Sequence, residues 1–246
     1  MYLTTPGLVL RVTDYNDRDA LLTLLTPEYG KLTVKARGLR RKNSPLVAPC
    51  QLLAYGEFTL FEYRGQYTVN EAHSIELFST LRRDLVKLSL GTYFAQVSEV
   101  ISQEDLPNPE VLSLTLNCLH ALSRLQMPES KVKAVFELRI GCLAGYQPDL
   151  YGCHVCGCQT PELFDISEGV LECAQCRGSG GGIRMPVNPG ILEAMRYICL
   201  CEPKKLFSFQ LGEANLDKLA SLSEAYLCAQ LERGFSTLDF YKSLLI

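Results

Sequence analysis

The chain has 246 residues, 47% of them hydrophobic and 21% charged, with a net charge of −3. That balance excludes a disordered chain and leaves enough apolar residues for a sizeable core; without overall basicity, any nucleic-acid surface must be local. No run of 18 or more apolar residues occurs, so no membrane-spanning helix is expected.

The first eighty residues read as strands. Gly7 to Val12, Ala20 to Thr26, Leu32 to Ala36, Leu52 to Phe61 and Tyr67 to Leu77 are rich in β-branched, leucine and aromatic residues. Turn signals at Asn16-Asp17, Pro27 to Gly30, Asn43 to Pro45 and Arg64-Gly65 separate them. Five short antiparallel strands suggest a small closed barrel, for which the OB-fold and an SH3-like barrel are both solutions.

From about residue 82 the apolar period becomes helical. Leu85, Leu88, Tyr93, Val97, Val100 and Ile101 form one stripe, and Leu112, Leu116, Leu119, Leu122 and Leu125 a second. Val132, Val135, Phe136, Ile140 and Leu143 form a third. Asn108-Pro109 and Asn188-Pro189 each place an N-cap before a proline at the first helical position. Stripes from Ile191 to Cys199 and from Leu216 to Leu231 predict two further helices. The expected organisation is α+β and multidomain: a barrel over 1–80, a helical domain over 81–150 and 185–246, and a cysteine module over 151–184 inserted between its halves. The glycine-rich run Gly178 to Gly182 reads as a flexible exit from that module.

There are eleven cysteines. The odd count, with an N-terminus lacking the basic and small-residue features of a signal peptide, points to a reducing cytoplasm rather than a disulfide scaffold. Cys153, Cys156, Cys173 and Cys176 read C-x2-C, sixteen residues, C-x2-C. Two thiolates three residues apart can wrap one metal from a tight turn. Two such turns supply the four soft ligands of a structural Zn2+ site with no position open for a catalytic water. Cys118, Cys142, Cys199 and Cys228 lie in helical stripes and are expected to be small buried hydrophobes. Cys158 is a spare thiol beside Cys156, and His154 is expected to face solvent or to support a ligand.

Lys31, Lys35, Arg37, Arg40, Arg41 and Lys42 fall in twelve residues without an acid. On a strand, Lys31, Thr33, Lys35 and Arg37 share one face while Leu32, Val34 and Ala36 turn inward; Arg40 to Lys42 follow in a loop. With nothing in the stretch to neutralise it, this is an anion-binding surface suited to phosphate backbone. Tyr15, Tyr29, Phe58, Phe61 and Tyr63 are nearby in sequence and could stack on bases, with at least half of them expected in the barrel core. Glu162, Asp165, Glu168 and Glu172 in the cysteine module would repel phosphate, with Arg177 and Arg184 as the exception. The acids around Asn16 read as solvated or as a weak cation site. No phosphate-loop, metalloprotease or zinc-deaminase signature is present, and the three histidines are scattered, so no enzyme is expected.

Together, Gly7-Leu8-Val9-Leu10, the turn Tyr15-Asn16-Asp17-Arg18-Asp19, Leu22 to Thr26, Tyr29-Gly30-Lys31 and Ala36-Arg37-Gly38-Leu39-Arg40-Arg41-Lys42-Asn43-Ser44 resemble the bacterial recombination-mediator family RecO. The resemblance continues through the helices and the four cysteines, with Cys158 as an addition. It implies an OB-fold and a non-enzymatic DNA repair and recombination protein of the RecFOR pathway. Such a protein binds single- and double-stranded DNA, anneals complementary strands and, with RecR, promotes loading of RecA onto strands coated by single-strand-binding protein (SSB). RecF is a further implied partner, and the implied location is the bacterial cytoplasm at the nucleoid. On this reading Lys35, Arg37, Arg40, Arg41 and Lys42 contact phosphate, Arg11 and Lys31 are secondary, and Arg82, Arg83 and Lys87 extend the path. Some members lack the cysteines, which suits a structural metal. Two other readings stand beside it: a zinc-ribbon transcription or translation factor that contacts nucleic acid through the cysteine module, and an enzyme with a redox or catalytic metal on the four cysteines.

Overall fold

A computed structural model of the chain describes residues 1–177 and 182–245; most of the glycine-rich run Gly178 to Gly182 lies outside them. The chain forms two compact units, Met1–Gln126 with Phe235–Ile246, and Met127–Gly234.

The first unit opens with five strands: β1 (Tyr2–Asp14), β2 (Ala20–Thr26), β3 (Gly30–Ala36), β4 (Tyr55–Tyr63) and β5 (Gln66–Glu76). They close into a barrel of order β1-β2-β3-β5-β4, with β4 returning to pair with β1. Strand β5 lies parallel to β3, through Val34 opposite Tyr67 and Lys35 opposite Thr68. A consecutive meander would not bring these two strands together; the Greek-key crossing does, and it settles the barrel as an OB-fold. The interior is filled by Val9, Leu22, Leu24, Leu32, Val34, Phe58, Leu60 and Val69. Along β3 burial alternates as the sequence pattern requires, with Leu32, Val34 and Ala36 buried and Thr33 exposed. In β1, Leu8, Val9 and Leu10 are all buried, and the register shifts between Val9 and Arg11. Inner and outer faces are both covered there, because helix α1 (Leu85–Ile101) packs on the strand. The Arg64-Gly65 hairpin has positive φ at both residues (53° and 74°), the conformation whose twist matches a two-residue β-hairpin.

Helix α1 starts where the Asp84 side chain accepts the Val86 and Lys87 amides, and α2 (Pro109–Ser123) where Asn108 accepts the Val111 amide. The C-terminal helix α6 (Ser236–Ser243) packs on α1, with Phe235 edge-on to Tyr93. It is absent from the sequence reading because it buries just Leu238 and Tyr241 and lacks a side-chain cap. Gly30, with φ of 61°, lies so close to the segment after α1 that a Cβ would sit 2.1 Å from the Leu106 carbonyl oxygen.

The second unit contains α3 (Glu129–Leu143), α4 (Pro189–Leu200) and α5 (Glu213–Gln230). It also holds a small sheet of order β6-β8-β7-β9 from Asp149–Cys153, Val170–Glu172, Leu163–Asp165 and Arg184–Pro186. Asn188 caps α4 and donates to Asn215 of α5 at 3.0 Å. Between α3 and α5, buried Lys133 pairs with Glu137 (2.9 Å) and Glu224 (2.8 Å) and donates to the Ala220 carbonyl, while Ser223 donates to Glu137. Every partner of the buried ammonium is an oxygen, so its charge is compensated in place. Cys118 and Cys199 are buried as expected, and Cys142 and Cys228 are half-buried. No helix among the described residues is long and apolar enough to cross a membrane.

Candidate nucleic-acid interface and metal centre

The four-cysteine arrangement is set by two turns. Strand β6 ends at Cys153; the chain reverses so that the Gly157 amide donates to the Cys153 carbonyl (2.8 Å) and Cys153 N–H to the Cys158 carbonyl (2.9 Å). Gly157 takes φ of 73° to make that reversal. Strand β8 delivers Cys173, and the Cys176 amide closes the second turn on the Cys173 carbonyl at 3.0 Å. The four Sγ atoms lie within 4.8 Å of one another, with Cys156 and Cys173 at 3.7 Å. Ligands on a tetrahedral ion with bonds of about 2.3 Å stand about 3.8 Å apart, so the spacing suits one soft metal. The electrostatics agree. Backbone amides, that of Cys156 foremost and those of Cys173 and Val155 after it, hold the Cys153 thiol down to about 6. Desolvation pushes Cys173 up, and the Cys156 thiol beside it raises Cys176 to about 11. One thiolate is already favoured, and its neighbours resist a second charge that a cation would relieve. Cys158 is not one of the four; its thiol meets Thr160 at 3.4 Å and also bonds the Cys173 thiol from beside the cluster.

Behind the cysteines, Arg184 of β9 donates to Glu172 of β8 at 2.7 Å and pairs with Asp165 of β7 at 3.2 Å, and His154 meets Glu172 at 3.3 Å. This corrects two expectations. Asp165 and Glu172 are not a phosphate-repelling surface, because both are buried and neutralised. Arg184 is an internal tie across three strands rather than a cation offered to a ligand. His154 is exposed, one of its two expected placements, with its ring nitrogen against Glu172.

The basic cluster is more heavily paired than its sequence suggests. Lys35 meets Asp19 at 3.4 Å, Arg40 pairs with Asp14, and Arg11 pairs with Glu99 of α1 at 2.9 Å. Lys31 donates from Nζ to the Glu99 carbonyl at 3.0 Å. The expectation that nothing neutralises the stretch therefore fails: its acids, Asp14 and Asp19, come from β1 and the β1–β2 turn, and a backbone carbonyl of α1 takes Lys31, none of which a local window sees. Nor are the turn acids free to chelate a cation. Asp19 accepts the Gly38 amide at 2.8 Å and is held below its ordinary range by that bond first, then by Asn16 and Lys35. Asn16 in turn accepts the Arg18 and Asp19 amides, and the Arg40 amide donates to the Arg18 carbonyl at 3.1 Å. The β1–β2 turn thus clamps the start of the basic loop. Arg37, Arg41 and Lys42 are exposed and carry no ion pair among the described residues. Arg18, which the sequence reading passed over, joins them on the surface. Of the extension residues, Arg82 is spent on the Leu52 carbonyl (2.6 Å) and Lys87 lies near Asp84, while Arg83 is exposed.

Among the aromatics, Phe58 is core and Tyr29 packs half-buried against it, whereas Tyr15, Phe61 and Tyr63 are exposed. Three of the five are at the surface, against the expectation that at least half are core. Lys35 Nζ lies 4.2 Å from the centre of the Tyr15 ring. Tyr2 was missed because β1 begins earlier than its apolar run: its ring meets Phe61 at 5.3 Å.

Residues 1–78 match the family model described as "Recombination protein O N terminal", and residues 82–239 match "Recombination protein O C terminal". The chain is 33% identical to a protein of Acetivibrio thermocellus named DNA repair protein RecO, over 99% of this chain and 97% of the relative. A protein of the same name from Alkaliphilus metalliredigens is 29% identical over 99% of this chain and all of its own length. One from Listeria monocytogenes is 26% identical, over 89% of this chain and 86% of its own. The matches run through barrel, helices and cysteine module alike, and the chain belongs to the recombination protein O family of DNA repair proteins.

Proposed function

We propose that this chain binds single- and double-stranded DNA through the loop that follows β3, and that it anneals complementary strands. With RecR it promotes loading of RecA onto SSB-coated DNA; RecF belongs to the same partner set, and the work is done at the nucleoid in the cytoplasm. The observation that carries the reading is the group Arg37, Arg41 and Lys42: three exposed cations without ion pairs among the described residues, on a loop held by Asp19 and Arg18. Lys35 and Arg40 stand next to them and exchange a carboxylate for a phosphate when DNA arrives; Lys31 and Arg11, occupied by Glu99, contribute least. A cationic loop tracks phosphates without reading bases, so it can hold two strands of any sequence and reduce their mutual repulsion until pairing proceeds. Cys153, Cys156, Cys173 and Cys176 hold one Zn2+ that builds the module's fold. The zinc-ribbon alternative is weaker, because the module's Arg184 is internal.

The test is annealing of complementary labelled oligonucleotides followed by energy transfer. Arg37→Ala/Arg41→Ala/Lys42→Ala should fold normally and anneal at least tenfold more slowly at moderate salt. An unchanged annealing rate would overturn the reading.

A further inference from the structure

The barrel's register places one continuous row of outward residues around its surface. Tyr2 of β1 faces Phe61 of β4, Phe61 faces Thr68 of β5, and Thr68 faces Lys35 of β3. The row passes through Leu21 of β2 and returns to β1 at Thr13, the stagger of a closed barrel. Lys35 stands two residues before Arg37, at the mouth of the basic loop. Phe61 is two strand spacings from Lys35, about 10 Å, which about three stacked nucleotides span at 3.4 Å each.

Tyr2 and Phe61 are 63% and 40% exposed, and their ring centres are 5.3 Å apart. Tyr63, next on the same face of β4, is 59% exposed with the Arg64 guanidinium 5.2 Å from its ring. Apart from exposed Met1 at the start of the chain, the outward neighbours between the rings and Lys35 are hydroxyls. Thr4 and Thr59 face each other one row along, their oxygens 3.1 Å apart, and Thr68 lies between Phe61 and Lys35. A small group of flat rings bordered by threonines offers faces to planar groups, whereas a protein-docking patch needs contiguous aliphatic area. The row beyond begins to be acidic, with exposed Glu71 opposite Thr59 and Glu57 opposite His73. A polyanion leaving the basic loop is therefore confined to the row that ends at the rings.

We infer that Tyr2 and Phe61 form a stacking step for unpaired nucleobases, reached by a single strand that crosses the barrel from the Arg37–Lys42 loop past Lys35 and Thr68. The inference rests on the proposed DNA binding and adds its base-contacting element. It also separates the two nucleic-acid forms: bases in a duplex are already stacked and cannot reach the rings, so the step favours single strands. The face that serves is β1-β4-β5, since Lys31 on the β2–β3 side is occupied by α1.

The experiment measures affinity of the full chain for a labelled oligothymidylate, for the same strand with abasic sites, and for a duplex, across a salt series. Tyr2→Ala/Phe61→Ala should lose roughly 5- to 100-fold for the intact strand, the range of base–aromatic stacking, with an unchanged salt slope. It should lose little on the abasic strand or the duplex. Phe61→Leu, which keeps apolar bulk, should lose discrimination between intact and abasic strands, and Phe61→Trp should retain it. Equal binding by wild type and variants, or a loss that is the same on abasic strands, overturns the stacking step while leaving the basic loop in place. Salt-independent or absent binding by the wild type would instead overturn the proposed function.

Discussion

Asp19 accepts the Gly38 backbone N–H at 2.8 Å, and through this bond the β1–β2 turn fixes the start of the basic loop. The bond also lowers the Asp19 pKa below its ordinary 3.8, with Asn16 and Lys35 adding to it. A depressed carboxyl contributes order that is fully present above its unfolded pKa and is lost as pH falls through the folded value. The Gly38 amide should therefore keep constant hydrogen-exchange protection from neutral pH to about 5, after allowance for intrinsic exchange, and lose it in stronger acid. In Asp19→Ala the amide should be unprotected at every pH, and DNA affinity should fall although Lys35 loses a competing acid.

The cysteine cluster makes a chemical prediction. Cys173→Ser should lose bound metal, measured by elemental analysis, and unfold at lower temperature. Cys158→Ser should retain both properties, because the four-thiol group is complete without Cys158 and a serine hydroxyl can still meet Thr160 and Cys173. A chelator should lower the wild-type midpoint to that of Cys173→Ser, since metal binding and folding of such a module are linked.

Gly30 should tolerate no side chain. Its φ of 61° already disfavours other residues, and a Cβ would stand 2.1 Å from the Leu106 carbonyl oxygen. Gly30→Ala should cost about 1–3 kcal/mol from backbone strain alone, and more as the segment after α1 is displaced. Chemical denaturation measures it; an unchanged midpoint would mean that this segment does not pack on β3 as described.

Lys133 and Glu137 give a contrast between breaking and replacing a buried pair. Lys133→Met leaves Glu137 buried without its ammonium and should cost about 3–5 kcal/mol. Lys133→Met/Glu137→Leu should recover a good part of that, because no buried charge is then left opposite Ser223. Urea unfolding of the single and double variants decides the matter.

How much of this was legible in the sequence follows from the range of the interactions. The strands, the helix starts at Asn108 and Asn188, and the paired C-x2-C turns are local patterns, and the structure realises them. The choice of OB-fold over an SH3-like barrel was not local: it depends on the β3–β5 pairing, thirty-three residues apart at Val34 and Tyr67. The pairing of Arg11 with Glu99, and the burial of Arg184 between Asp165 and Glu172, were invisible for the same reason. Helix α6 was missed because too few of its residues are apolar to show a period. Tyr2 was missed because it alternates with half-buried Leu3 ahead of the apolar run that marks β1.

The central claim is that the loop after β3 holds the DNA backbone, and a salt series tests it most directly. Single-strand affinity is measured by fluorescence anisotropy for wild type, for Arg37→Ala/Arg41→Ala/Lys42→Ala, and for Arg11→Ala as the control that Glu99 already occupies. At about −0.7 per contact, losing three phosphates should flatten the log–log slope by about 2, with weaker binding at low salt, while Arg11→Ala changes little. A triple variant that keeps the wild-type slope and affinity would contradict the account and move the DNA path off the barrel loop.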